Sequence, residues 1–251
     1  MTEAASTNVV VHRSPGVVRI ALDRPEKRNA LDEATVNEVH AVLDEALAEP
    51  AVVVVESATP GIFASGADLR ELLDRDAESA LRRINIQLFD RIERLRWPTV
   101  AVIDGPALGA GCELALACDF RIATPEARFG QPETSLGIIA GAGGNWRLAA
   151  VVGLQVARRM LLVGEMLDGS RAAEVGLVDW VVQRDELDDE VSRVTKVIAE
   201  RSWRALELTK LALRQEHRAT DAFDVVAQAL LFEGDDKRQR IEDVLSRRSK
   251  R

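Results

Sequence analysis

GPALGAGCELALACD, residues 105–119, is the stretch from which the rest of the chain can be read. Of the fourteen residues between Asp104 and Asp119, only Glu113 is charged. The stretch opens as a Gly/Ala-rich loop and continues as a short apolar helix starting near Ala110. A carboxylate one turn into that helix lies beside whatever the loop binds. Its apolar company (Leu114, Leu116, Ala117) desolvates it, which suits it to proton transfer near neutral pH.

Two further loops share the small-residue character, FASGAD at 63–68 and AGAGG at 140–144. Neither they nor ALGAG at 107–111 match a nucleotide-binding fingerprint: ALGAGCEL gives G-x-G-x-x-L, and the chain has no GK[ST]. The remaining chemical use of such a loop at a helix start is to aim a backbone N–H at an anion. Two loops aiming at one oxygen make an oxyanion hole, each donor contributing ~3 kcal/mol to a transition state in a dry site. A second carboxylate, Glu133, follows in ARFGQPETSLG, where Pro132 is expected to hold the preceding backbone extended and Gly130 to permit an unusual turn. Spacing alone leaves a second reading open, in which the loops are close-packing devices and the glutamates face solvent.

Outward from this region the pattern is α/β. Residues 8–13 and 17–22 alternate around Ser14-Pro15-Gly16 as a hairpin, and β-branched runs at 52–55, 100–103, 120–123 and 178–182 predict further strands. Between them, apolar spacing predicts a helix over 33–48 with Asp32 as N-cap. It also predicts one long helix carrying Leu81, Ile84, Leu88, Ile92 and Leu95 on one face. After Asp185 strand signals stop, and 188–200, 203–217, 221–232 and 235–248 all read as helices. The organisation expected is a core over 1–185 and a helical region over 186–251, with Val225, Ala229 and Phe232 on an apolar face that covers the core or another subunit.

Composition excludes several classes. A net charge of -8 argues against a nucleic-acid binder, whose affinity comes from Lys and Arg on phosphate. Cys112 and Cys118 are the only cysteines, and no CxxC, HExxH or Cys/His cluster occurs, so a reduced, metal-free protein is expected. No apolar run is long enough for a signal peptide or a membrane span, which predicts no membrane partner and a cytoplasmic location. The histidines lie outside the loops, and Trp97, Trp146, Trp180 and Trp203 read as packing residues.

Three segments carry a resemblance: FASGADLREL, the run IDGPALGAGCELALACDFRIATPEARFGQPETSLGIIAGAGGNWRL, and GLVDWVV. In order and spacing they resemble the enoyl-CoA hydratase/isomerase, or crotonase, superfamily, from RPEKRNAL to a tail at FEGDDKRQRIEDVL. The resemblance implies a spiral of repeated β/β/α turns with a helical C-terminal region used in oligomerisation, as a homotrimer or homohexamer. It implies that the backbone N–H groups of Ala67 and Ala110 form an oxyanion hole for a thioester. Glu113 and Glu133 match the two catalytic glutamates of the hydratases, while Lys27, Arg28, Ser65, Ala67, Asp68, Leu69 and Arg70 match the region that meets coenzyme A. The implied reaction adds water across a trans-2-enoyl-CoA, with no cofactor beyond the coenzyme A of the substrate. Double-bond isomerisation and a catalytically idle acyl-CoA binder are the alternatives. The chain departs from the family pattern at Ala110, where Gly is commoner, at Ala140, often Pro, and at Asn145-Trp146, often Thr-Gln.

Overall fold

The computed structural model describes residues 8–46, 49–213, 225–226, 229 and 231–248. Strands β1 (Val9–Ser14) and β2 (Val17–Leu22) pair antiparallel as the expected hairpin. Helix α1 (Glu33–Ala46) starts where Asp32 Oδ1 accepts from the Thr35 amide at 2.8 Å. Strand β3 (Val52–Ser57) then joins β2 in parallel.

A further short helix, α2 (Leu69–Asp74), precedes the expected long helix, which is broken in two as α3 (Ala77–Leu81) and α4 (Ile84–Glu93). Helices α2 and α3 are each N-capped by an aspartate, Asp68 and Asp76, and α4 begins after Arg83, whose φ is 55°. That left-handed residue turns the axis, so Leu81 falls off the common face and is 57% exposed, while Ile92 and Leu95 are buried. The break places the ends of α2 and α3 beside the start of α4 around a hollow.

Strand β4 (Thr99–Ile103) pairs with β3, and the chain then runs through β5 (Pro106–Leu108), α5 (Ala110–Ala117), β6 (Phe120–Ala123) and β7 (Arg128–Gly130). This is one complete strand–strand–helix turn followed by the strands of the next. β6 pairs with β4 in the large sheet and β7 with β5 in a small second one. After α6 (Gly144–Arg158) and a π-helical turn (Arg159–Val163), β8 (Leu167–Asp168) closes the small sheet. Helix α7 (Gly169–Glu174) leads to β9 (Trp180–Val181), the last strand of the large sheet, whose order is β1-β2-β3-β4-β6-β9. Bridges Leu31–Ala67 and Ala64–Ala107 continue the small sheet into the earlier loops. The architecture is an α/β spiral.

The large sheet is covered on both faces, which explains its uninterrupted valines. Val53, Val55, Ala101, Ile103 and Ala123 face the main core, whereas Val52, Val54, Val100, Val102 and Ile122 meet Leu187, Val191 and Val194 of α8 (Leu187–Ala199). Helix α9 (Trp203–Leu213) follows, and the rest of the helix expected to reach His217 lies outside the described residues, as does most of the one expected over 221–232. Helix α10 (Asp235–Arg248) folds back on the core: Ile241 and Phe232 pack with Leu72 of α2 and with Ile138. Lys237 is buried there, its ammonium donating to the carbonyls of Leu73 and Arg75 at the end of α2. The C-terminal segment thus covers the chain's own hollow.

Gly130 plays a different part from the one its sequence suggests. It is an ordinary strand residue without positive φ. A Cβ there would lie 3.2 Å from Met166 and 3.4 Å from Leu108, so close packing, not an unusual turn, selects glycine.

Candidate active site

Glu113 lies in the first turn of α5, and the side chain is buried. Gly109 precedes the helix at φ 51°, ψ -122°, a conformation open to glycine alone. Glu113 Oε1 accepts hydrogen bonds from the amides of Ala142 and Gly144, both at 2.8 Å. Gly144 is the first residue of α6, so the positive end of that helix faces the carboxylate. Arg147, buried one turn further on, donates to Ala142 O at 2.9 Å and pairs with Asp90 and Glu93 at 2.6 and 2.7 Å. It ties the AGAGG loop to α4.

Glu133 opens a 3-10 turn, Glu133–Leu136, immediately after Pro132, and is buried too. The Gln131 amide nitrogen donates to both its carboxylate oxygens, at 3.0 and 3.1 Å. That is the orientation of the amide against the ionised acid; the protonated acid can instead donate its O–H to the Gln131 side-chain oxygen. Burial, and then the neighbouring charge of Glu113, push the Glu133 carboxyl well above the usual range. A Cβ on Gly109 would stand 3.0 Å from Glu133 Oε1, so glycine there also makes room for the acid.

The loops that carry the Ala67 and Ala110 amides come together at the cavity these acids line. Leu31 bonds the segment through Gly66 O and the Asp68 amide, and in a parallel bridge this turns the intervening Ala67 N–H to the opposite side. Ala110 is the first residue of α5, where an N–H has no intrahelical acceptor. Its φ is not positive, so alanine is tolerated where the family more often has glycine. Gly66, at φ 106°, brings the loops into contact: a Cβ on it would be 3.0 Å from Leu108 O and 3.8 Å from the Ala110 nitrogen. Ala67, Ala110, Glu113 and Glu133 all line one cavity of about 120 Å³.

Of the residues matched to coenzyme A binding, Ser65 and Leu69 line the same cavity as Ala67. Lys27, Arg28, Asp68 and Arg70 do not. Lys27 and Arg28 are exposed on the adjoining elbow, which the Ser65 amide joins by donating to Arg28 O at 3.0 Å. Asp68 caps α2 by accepting from the Arg70 amide at 2.9 Å, and the Arg70 side chain is exposed. Trp146 is buried in the main core and stands outside the cavity lining, against Arg147 at 5.2 Å. Both cysteines are buried, and burial pushes their thiols far up.

Sequence reasoning missed Gln131, the Ala142 and Gly144 amides, and Arg75, which lines the cavity. Position two before Glu133 in GQPE is the only signal that marked Gln131.

A family model described as enoyl-CoA hydratase/isomerase matches residues 12–245. The chain belongs to that family. It is 36% identical over 227 residues to the 2,3-dehydroadipyl-CoA hydratase of Escherichia coli (strain K12), covering 90% of this chain and 89% of that one. It is 34% identical to the crotonyl-CoA hydratase of Syntrophomonas wolfei, covering 84% and 83%. Among solved structures, an enoyl-CoA hydratase from Mycobacterium avium subsp. paratuberculosis K-10 superposes with a TM-score of 0.86 at 29% identity, covering 95% and 99%. The protein is an enzyme, a hydro-lyase of the enoyl-CoA hydratase kind.

Proposed function

We propose that this family member adds water to a trans-2-enoyl-CoA thioester, using the amides of Ala67 and Ala110 as the oxyanion hole and Glu113 and Glu133 as its working acids. One observation carries the reading: two buried carboxylates and two backbone donors line a single cavity. A thioester oxygen between the amides has its developing negative charge stabilised as water adds to the β-carbon, each donor contributing ~3 kcal/mol.

The roles follow from the environments. Glu113 is held by two fixed amides and orients and activates the water. Glu133, whose raised pKa keeps the proton available, delivers it to the α-carbon. The presence of both acids in one cavity favours hydration over isomerisation, for which one suffices. Proton transfer and water addition are redox-neutral and need no metal or further cofactor. Ser65, Leu69 and the elbow of Lys27 and Arg28, with Asp68 and Arg70 beside it, offer the entrance surface for coenzyme A.

The working form is a homotrimer or homohexamer. Leu154, Leu162 and Val163, on α6 and the π-helical turn, are 56%, 72% and 80% exposed, an apolar surface that a second copy covers. No described helix is long and apolar enough to cross a membrane; the cytoplasm is the compartment we expect. Incubation with trans-2- and trans-3-enoyl-CoA thioesters followed by mass analysis tests the reaction. Water gain is expected, and isomerised product of unchanged mass without any hydrated product overturns it.

A further inference from the structure

We propose that the acyl chain of the substrate ends in a carboxylate and that Arg75 is the residue that reads it. The inference rests on the enoyl-CoA reading above and names its substrate class. Leu69, Leu72 and Arg75 all line the cavity, at the three-residue spacing that keeps one face of α2 turned inward. Asp68, next to the Ala67 donor, starts that helix, and Arg75 ends it, a rise of ~10 Å. A chain bound with its thioester at Ala67 and Ala110 therefore passes two leucines and meets a guanidinium.

The guanidinium has donors to spare. The Arg75 side chain is 15% exposed, and among the described residues it makes one hydrogen bond, 3.3 Å to Glu71 Oε2, whose own side chain is 40% exposed. A guanidinium carries five N–H donors in a planar fork that suits a carboxylate bidentately. Arg75 lines the cavity together with Leu69, Leu72, Ile138 and Phe232, and its spare nitrogens keep contact with solvent, so a ligand in the cavity can reach them. Arg83, paired to Asp90 at 4.0 Å, adds a second positive charge to the same wall. At the other end the Glu113 carboxylate repels a second carboxylate, so an ω-carboxylated thioester is oriented by both ends of the cavity at once.

The test compares trans-2-hexenoyl-CoA with trans-2-hexenedioyl-CoA, which differ only in a terminal methyl or carboxylate. The wild type is expected to favour the carboxylated thioester in kcat/KM by about tenfold or more, equivalent to at least 1.4 kcal/mol. Arg75→Met is expected to bring the ratio near one, and Arg75→Lys to leave an intermediate value. A wild-type ratio of one or less, or an unchanged ratio in Arg75→Met, overturns the proposal. Because both thioesters carry the same coenzyme A, a role for Arg75 at the phosphates lowers both rates equally and leaves the ratio where it was. If neither thioester gains water, the hydration reading fails separately. Calorimetry with the unreactive pair adipyl-CoA and hexanoyl-CoA then still decides the tail: tighter adipyl-CoA binding lost in Arg75→Met supports it, and equal binding contradicts it.

Discussion

The amide of Gly144 donates to Glu113 Oε1 at 2.8 Å, and a Cβ on Gly144 would stand 3.0 Å from that same oxygen. The added atom would also lie 2.8 Å from the Ala140 Cβ and 2.9 Å from the Gln131 side chain. Ala140 is buried and has no side-chain freedom with which to move away. Gly144→Ala is therefore expected to displace Glu113 and Gln131 together, lowering kcat by roughly 10–10² with overpacking that costs about 1–3 kcal/mol in denaturant unfolding. Wild-type kcat in this variant would show that the cradle around Glu113 is not needed.

Arg147 holds the same loop from below. Arg147→Met removes its bond to Ala142 O and its ion pairs with Asp90 and Glu93; Asp90 keeps Arg83 and Arg94 nearby and Glu93 is partly exposed, so the cost is about 1–3 kcal/mol. Urea unfolding measures the loss. A change below 1 kcal/mol would mean that water replaces the guanidinium.

Glu133 titrates abnormally high because of burial first and Glu113 second. In Glu113→Gln the second cause disappears and the first stays. The Glu133 pKa, followed by NMR of labelled glutamate, should fall yet remain above the ordinary range. No fall would mean that the two carboxylates do not interact.

The same shift links pH to stability. An acid whose folded pKa exceeds its unfolded value of about 4.3 favours the native state only while protonated, so its contribution is lost as pH rises through the folded pKa. Glu133→Gln does not titrate there. The variant should be more stable than the wild type at neutral pH, with the difference shrinking towards zero near pH 4, as read by thermal unfolding. A pH-independent difference contradicts the assigned shift.

How much of this was legible in the sequence depends on scale. The valine run at β3 and the hairpin around Gly16 carry their own periodicity, and Glu113 was conspicuous as one charge in an apolar stretch. Strands β5, β7 and β8 are two or three residues long and hold no readable alternation, so the second sheet stayed hidden. The break at Arg83 was invisible because Ile84, Leu88 and Ile92 keep helical spacing beyond it. Arg75 was obscured for a similar reason: four residues after Glu71, it reads as a surface ion pair, and only the fold of α2 over the cavity turns it inward. Ala142 and Gly144 act through backbone amides, which side-chain chemistry does not announce.

The division of labour between the acids is tested most directly by exchange of the α-protons of a saturated acyl-CoA with deuterated solvent, catalysed by Glu113→Gln and by Glu133→Gln. Glu113→Gln keeps the acid that serves the α-carbon and should still exchange. Glu133→Gln should lose exchange by ~10²–10⁴, the usual worth of a positioned acid or base, while thioester binding is largely retained. Equal loss in both variants, or undiminished exchange by Glu133→Gln, would contradict the assignment.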